Sequence, residues 1–257
     1  MHVLFRRATL PFCALGLVWC AAEAVHAANF AFSPTSLELT VKERSGTVTL
    51  QNPGDKPVRF EAIAMRWDQR ADGQMDLHPT EDLLVYPPLI TVAPDKSSKF
   101  RVTVLVPPGE REKTYRIQVT EIPAFRGVNQ AGGASVTIRS QVVLPVFFAP
   151  AAAKQAIATI VNPATRAGTF TFSIADAGTV RVHVRSVAVT GIGTGGRTIF
   201  QKSLDGWYVL AGGHRDYSVP LPRDTCAQVR AISVDALTVP SSHITQTIEV
   251  PADACRG

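Results

Sequence analysis

Apolar and polar residues alternate in short runs along most of the chain, and turn-forming residues separate the runs. In "SGTVTLQNPGDKPVRFEAIAMRW", Val48 and Leu50 alternate with polar neighbours, "NPGDKP" has turn chemistry, and the alternation resumes from Val58 to Ala64. A period of two is typical of a strand that buries one face. The pattern therefore predicts strands joined by tight turns.

The same alternation recurs to the end of the chain, within a composition that has 18 Gly and 18 Pro. The further runs are "SSKFRVTVLV", "KTYRIQVTEI", "AIATIVNP", "GTFTFSIAD", "TVRVHVRSVAVTG", "RDYSVPL", "AQVRAISVDAL" and "HITQTIEV". No run shows a convincing helical period. Regular short strands with turn signals between them predict an all-β protein built from sandwiches.

One run, "SVTIRSQVVLPVFFAP" at 135–150, is about twice the usual length of a strand. Its even positions are apolar except Ser140, and they are Val136, Ile138, Val142, Leu144, Val146 and Phe148. A strand of this length either runs along its own core into a linker or offers part of its apolar row to something outside its domain. The pattern alone favours neither interpretation.

The first residues predict a cleaved signal peptide. "MHVLFRR" is a basic segment, "ATLPFCALGLVWCAA" is apolar, and "EAVHA" ends in a small-residue cleavage signal. The alternative, a retained anchor, is weaker because the apolar run is shorter than the ~20 residues that a bilayer requires and ends at Glu23 and His26. We therefore expect residues 1–27 to be removed, and we expect no stable membrane insertion.

Removal of the signal takes two of the four cysteines and leaves Cys226 and Cys255. An even pair in an exported chain predicts one disulfide, with two free buried thiols as the alternative. A metal site is less favoured because the remaining histidines are scattered and none stands at ligand spacing from a cysteine.

The mature chain of about 230 residues is long enough for one large or two ordinary domains. The stretch "APAAAK", which follows the long run, is the best place for a boundary. We therefore divide the chain near Pro150, into 28–150 and 151–257.

Charge and motifs point away from catalysis and from nucleic acid. The net charge of +5 suits a basic exported protein that meets acidic partners, but the basic residues are spread and not interleaved with exposed aromatics. "GIGTGG" at 191–196 lies between strand-like runs, which predicts a hairpin loop. There is no G-x-S-x-G or H-E-x-x-H motif. The sequence predicts no enzyme, no catalytic residue and no cofactor.

Four stretches of the first half resemble, in order, the N-terminal domain of PapD-like periplasmic pilus chaperones. They are "FSPTSLELTVKERSGTVTLQNPGDKPVRFEAIAMRW", "VYPPLITVAPDKSSKFRVTV", "KTYRIQVTEIP" and "VTIRSQVVLPVFFAP". The second half is similar more loosely, through "NPATRAGTFTFSI" and "GWYVLAGGHRDYSVPLP". The resemblance implies two immunoglobulin-like sandwiches at an angle, in the periplasm of a Gram-negative bacterium.

The resemblance also implies a function, because such chaperones lend a strand to a pilin and deliver it to an outer-membrane usher. Backbone hydrogen bonds then give affinity and alternate side chains fill the acceptor groove. The long run becomes the donor strand, with Leu144, Val146 and Phe148 holding its own sandwich. Val136 and Ile138, with Val142 as the next candidate, would enter the subunit.

This sequence departs from the familiar family pattern at the subunit anchor. The usual basic pair is missing, since Ser36 stands at the arginine position and Pro145 at the lysine position. The chain is in this respect more similar to the archaic, Csu-type branch. A guanidinium can grip a carboxylate in a fork, so we expect a replacement arginine near the cleft, with Arg116 as the first candidate.

Two further arginines, Arg139 and Arg101, are weaker candidates for the anchor, because the simpler interpretation of each is a solvated charge on a strand face. Two other functions stay open. One is an exported structural or adhesive sandwich protein without chaperone activity. The other is a hydrolase, which lacks a nucleophile and base that can be placed. Self-association of the free chain, which would hide an exposed apolar strand, is also left open.

Overall fold

The computed structural model describes residues 30–123, 139–239 and 242–255. Within these ranges the chain is almost entirely strand and turn, and the helical elements are two 3₁₀ turns, Thr194–Gly196 and Cys226–Gln228. The all-β prediction is confirmed. No helix in the described ranges has the length and apolar content needed to cross a bilayer.

Ten strands build a first sandwich. They are β1 (Ala31–Ser33), β2 (Leu37–Leu39), β3 (Ser45–Asn52), β4 (Val58–Gln69), β5 (Met75–Pro79), β6 (Leu83–Tyr86), β7 (Leu89–Val92), β8 (Lys96–Val104), β9 (Lys113–Glu121) and β10 (Gln141–Phe148). One sheet has the order β1-β3-β8-β6. The other has the order β2-β10-β9-β4-β5, with β7 also paired to β4.

The core of the first sandwich lies between these two sheets, where alternate residues of each strand meet. Val48 and Leu50 of β3, and Phe60 and Ala62 of β4, are buried there as their alternation predicts. Phe148 is also fully buried in this core. Each large apolar side chain buried in this way contributes about 1.5–3 kcal/mol to folding.

Eight strands build a second sandwich. They are β11 (Ala158–Arg166), β12 (Thr169–Asp176), β13 (Val182–Ile192), β14 (Thr198–Asp205), β15 (Tyr208–Val209), β16 (His214–Pro220), β17 (Ala231–Val239) and β18 (Ser242–Glu249). They form a sheet of order β11-β12-β16 and a sheet of order β14-β13-β17-β18, with β15 also paired to β13. This sandwich has a separate hydrophobic core.

Two sequence predictions in the second half are confirmed. Cys226 and Cys255 form a disulfide, with Cα atoms 5.9 Å apart and a separation of 29 residues. The "GIGTGG" segment joins the antiparallel strands β13 and β14 and is therefore part of a hairpin. The strand β14 was not predicted, because its residues lack a clean alternation.

The two sandwiches meet through a small aromatic cluster, which we call the junction cluster. It consists of Trp67, Phe147 and Leu210, with Leu77 and Tyr208 packed against them. The side-chain amide of Gln69 joins the sandwiches as well. It donates to the carbonyl oxygen of Tyr208 at 2.6 Å and accepts from the backbone N–H of Leu210 at 3.2 Å.

Candidate functional site

One edge of β10 is largely unpaired. β10 pairs along its whole length with β9, from Gln141 opposite Thr120 to Phe148 opposite Lys113. On its other edge, β2 pairs only with 146–148 of β10. Among the described residues, 141–145 therefore have no strand on that side.

The hydrogen-bonding pattern shows which backbone groups face this open edge. The N–H of Glu121 donates to the carbonyl oxygen of Ser140, which makes these two residues a hydrogen-bonded pair. Pairs alternate along an antiparallel ladder, so Val142 and Leu144 also bond to β9. Gln141 and Val143 therefore direct their N–H and C=O groups to the open edge.

The side chains of β10 divide between two faces. Leu144, Val146 and Phe148 are buried in the first core, which the alternation predicts. Val142 is half-buried and packs against the same core. Val136 and Ile138 lie outside the described residues. The donor role of these two residues and of Val142 stays a prediction.

Arg116 lies at the centre of β9, directly opposite Pro145 of β10 and Met65 of β4. Its neighbours Tyr115 and Ile117 point into the core, so Arg116 points to the outer face of the sheet. This face carries Pro145, at the position where the resembled family has its lysine. The register therefore places Arg116 directly across from the position where the usual cation is missing.

The guanidinium of Arg116 is buried and stacked but has no acceptor. The residue is only 4% exposed, and its Cζ lies 3.7 Å from the centre of the Trp67 ring. Its Nε and Nη2 are buried without a hydrogen-bond partner among the described residues. Burial lowers the pKa of Arg116 to about 10, and nearby Tyr208 offsets part of that shift, so the side chain stays charged at neutral pH.

The other two arginine candidates lie in more open surroundings. Arg139 is exposed, and its Nε donates to the carbonyl oxygen of Glu121 at 3.4 Å. Arg101 is exposed on β8, in the sheet that does not contain β10. The structure therefore brings Arg116 and Arg139 near β10 and leaves Arg101 on the opposite side of the sandwich.

Sequence reasoning missed a second arginine at the junction, the half-buried Arg181, which joins the two sandwiches. Arg181 forms ion pairs with Glu38 of β2 and with Glu112, the latter at 2.6 Å. Its Cζ lies 3.2 Å from the centre of the Phe147 ring. No spacing in the sequence could have shown this cluster, because its members are 69 and 143 residues apart.

The carboxyl group of Glu112 is almost completely buried in this cluster. Its side chain is 4% exposed, compared with 17% for Arg181. Burial raises the pKa of Glu112, and the Arg181 guanidinium offsets part of that rise. The pair therefore depends on Arg181 to keep a buried carboxylate charged.

The site contains no recognisable metal centre. No group of three or more potential ligands among His, Cys, Asp and Glu occurs within the described part of the chain. The functional features of the site are therefore an open strand edge and an unpaired buried cation on the neighbouring strand.

Comparison with known families decides the class of the first half. Residues 29–154 match the model of the PapD N-terminal domain, described as a pili and flagellar-assembly chaperone. This part of the chain belongs to that family. A comparison with curated protein sequences finds no match.

Solved chaperone structures share the fold of both sandwiches. The first is the CsuC–CsuE chaperone–tip adhesion subunit pre-assembly complex from archaic chaperone-usher Csu pili of Acinetobacter baumannii. It has a TM-score of 0.61 at 14% identity and covers 86% of this chain and 98% of that chain. The class 5 fimbriae chaperone CfaA has a TM-score of 0.55 at 14% identity, covering 87% and 100% of the two chains.

A third structure contains the SafB chaperone of Salmonella enterica in complex with the SafA pilin. It has a TM-score of 0.55 at 16% identity and covers 88% of this chain and 99% of that chain. At these identities the likeness establishes the fold, and the predicted PapD-like architecture of two immunoglobulin-like sandwiches is confirmed.

Proposed function

We propose that this chain is a periplasmic chaperone that binds pilus subunits by donor-strand complementation and delivers them to an outer-membrane usher. The family of residues 29–154 supports the chaperone class. The solved complexes of similar fold, in which a chaperone holds a pilin or a tip subunit, support the choice of partner. The family is not a class of enzymes.

The open edge of β10 is the observation that carries this proposal. An extended segment of a partner could hydrogen-bond to Gln141 and Val143, as in other cases of strand addition. Pro145 lacks an N–H, and β2 covers the strand from 146 onward, so pairing would end there. The partner strand would therefore extend from this point towards 139 and beyond.

The donated side chains would be those of Val136, Ile138 and Val142. Val142 shares the face of Leu144 and Val146 but is less buried than either. The apolar side chains of this row become less buried in their own sandwich towards Val142, so they are available to fill the core of a partner. The upstream members of the row, Val136 and Ile138, are assigned from the sequence alternation alone.

Arg116 would anchor the subunit. A buried cation without an acceptor is unfavourable unless a ligand supplies one, and a carboxylate or a backbone carbonyl of the subunit could do so. The position of Arg116 opposite Pro145 supports this role, and Arg139 is the next candidate. This replacement for the usual basic pair would place the chain with the archaic branch.

The cellular setting is part of the same proposal. Residues 1–27 would direct export and be removed, after which 28–150 and 151–257 would form the two domains. The interval between β10, which ends at Phe148, and β11, which begins at Ala158, supports that division. Self-association of the free chaperone would cover the same open edge.

The experiment is coexpression of a pilus subunit with Val136→Asp or Ile138→Asp. Desolvation of a carboxylate in the acceptor groove costs several kcal/mol, so both variants should lose capture while circular dichroism and melting temperature stay unchanged. Thr137→Asp, at the alternate position of the pattern, is the matched control and should capture normally. Normal capture by both apolar-position variants would remove this strand from the mechanism, whereas failure of the wild type to capture any pilus subunit would favour a structural or adhesive protein.

A further inference from the structure

The buried face of Trp67 is the aromatic surface on which the Arg116 guanidinium lies. Trp67 is 1% exposed and the two groups stack at 3.7 Å. The Nε and Nη2 atoms of Arg116 are buried and have no hydrogen-bond partner within the described ranges. An arginine has a long and flexible side chain, so without the ring its head would be free to adopt several positions.

Trp67 is itself firmly held by both sandwiches. Its ring packs against Phe147 and Tyr208, with ring centres 6.0 and 5.8 Å away. Its carbonyl oxygen accepts a hydrogen bond of 2.7 Å from the buried hydroxyl of Thr114. The Gln69 contacts with the backbone of the second sandwich lie two residues further along β4.

We propose that Trp67 is a positioning residue that holds Arg116 ready for the subunit, an inference that rests on the anchor role proposed above. A donor fixed before binding loses less conformational entropy when the ligand arrives. The electrostatic attraction between a cation and an aromatic face supplies the hold. Because Tyr208 comes from the second sandwich, the anchor is completed by both halves of the chaperone.

A positioning role and a packing role for Trp67 can be distinguished by the substitutions that each would tolerate. Phe keeps an aromatic face towards the guanidinium, although the ring is smaller. Leu keeps apolar contact with the junction cluster and removes the aromatic face. Positioning therefore requires an aromatic residue, whereas packing requires only an apolar one.

The test is a double-mutant cycle on subunit capture. Trp67→Leu, Arg116→Ala and the double variant are each coexpressed with the same affinity-tagged pilus subunit, and the complex is recovered through the tag. Each single change should lower the recovered complex about tenfold, as expected for loss of a desolvated cation–aromatic contact or of the anchor itself. In the Arg116→Ala background, Trp67→Leu should cause no further loss. Trp67→Phe should restore capture to within about threefold of the wild type.

The matched control is Trp207→Leu, which removes an indole that is 39% exposed and should not change capture. Melting temperatures of the free variants report packing separately. If Trp67→Leu does not fold, Trp67→Met takes its place in the cycle, because its flexible side chain fills irregular space.

Two outcomes overturn the inference, and they can be told apart. If the two single effects multiply in the double variant, or if Leu captures as well as Phe, Trp67 acts through packing and not through Arg116. If Arg116→Ala captures as well as the wild type, the proposed anchor fails and the positioning role fails with it.

Discussion

Arg181 and Arg116 both stack on aromatic rings at the junction of the two sandwiches, yet their electrostatic surroundings are opposite. Arg181 lies over Phe147 and forms ion pairs with Glu38 and Glu112. Arg116 lies over Trp67, is buried more deeply, and its buried Nε and Nη2 have no acceptor in the described ranges.

The difference separates an arginine that serves the fold from one that serves a ligand. The charge of Arg181 is used within the chain, where it compensates a buried carboxylate. The charge of Arg116 is left uncompensated on β9, the strand that pairs with β10. A buried charge kept without a partner lowers stability, which is a cost that a binding site can recover when its ligand arrives.

The largest expected effect comes from Arg181→Ala. Removing one partner of a buried ion pair leaves Glu112 uncompensated, which should lower the free energy of unfolding by about 3–5 kcal/mol. The loss should be larger at pH 8 than at pH 5. The pKa of Glu112 is already raised in the folded state, so as the pH falls Glu112 takes up a proton at a higher pH in the folded protein than in the unfolded chain. Protonation removes the uncompensated charge and therefore reduces the loss at low pH.

Urea denaturation at the two pH values measures this effect. The double variant Arg181→Met with Glu112→Leu is the control, because it removes both charges and should recover most of the stability. An equal loss for Arg181→Ala at both pH values would mean that Glu112 is not the group that Arg181 compensates.

Reduction of the Cys226–Cys255 disulfide should have the next largest effect and should spare the junction. A closed loop with a separation of 29 residues stabilises the folded state by roughly 3 kcal/mol in the chain-entropy account. The second sandwich should therefore melt at a lower temperature while the first melts almost unchanged. Calorimetry with and without reductant measures both transitions, and an equal shift of the two would show that the junction couples them tightly.

The smallest expected effect has the opposite sign. Burial lowers the pKa of Arg116 to about 10, so the folded protein binds the proton of this guanidinium more weakly than the unfolded chain does. At pH 7.5 the side chain is still charged, and its charge lowers the stability of the folded state. Arg116→Met removes this cost but also loses the stack on Trp67. The net result should be a gain of about 1 kcal/mol in the free energy of unfolding, together with weaker subunit capture.

Arg181→Met is the comparison for this prediction, because the same substitution there should be destabilising. Denaturation of both variants at pH 7.5 is sufficient. A loss of stability for Arg116→Met as large as that for Arg181→Met would remove the distinction between the two arginines.

The sequence predicted most of the fold because period-two alternation reports burial of one strand face. Val48, Leu50 and Phe60 are core residues for that reason. The strand β14 escaped prediction because it is an edge strand, where polar residues such as Gln201 and Lys202 follow one another. The alternation of apolar and polar residues predicts a strand only where one face of that strand is buried.

The site was predictable only in part. Arg116 could be selected because the resemblance placed its strand beside the long run, and the two strands are indeed paired. Trp67, Tyr208 and Arg181 could not be selected, since their contacts depend on how two sandwiches with separate cores meet. The disulfide was predictable because only two cysteines follow the signal segment.

Hydrogen exchange at the open edge of β10 tests the central claim most directly. The amides of Gln141 and Val143 have no strand partner in the free chain, whereas those of Val142 and Leu144 are directed to β9. Binding of a pilus subunit should slow exchange at Gln141 and Val143 by at least about tenfold, the factor that corresponds to 1.4 kcal/mol of added protection. Val142 and Leu144 should be protected in both states, and a stable complex in which Gln141 and Val143 still exchange at their free rates would contradict donation of this strand.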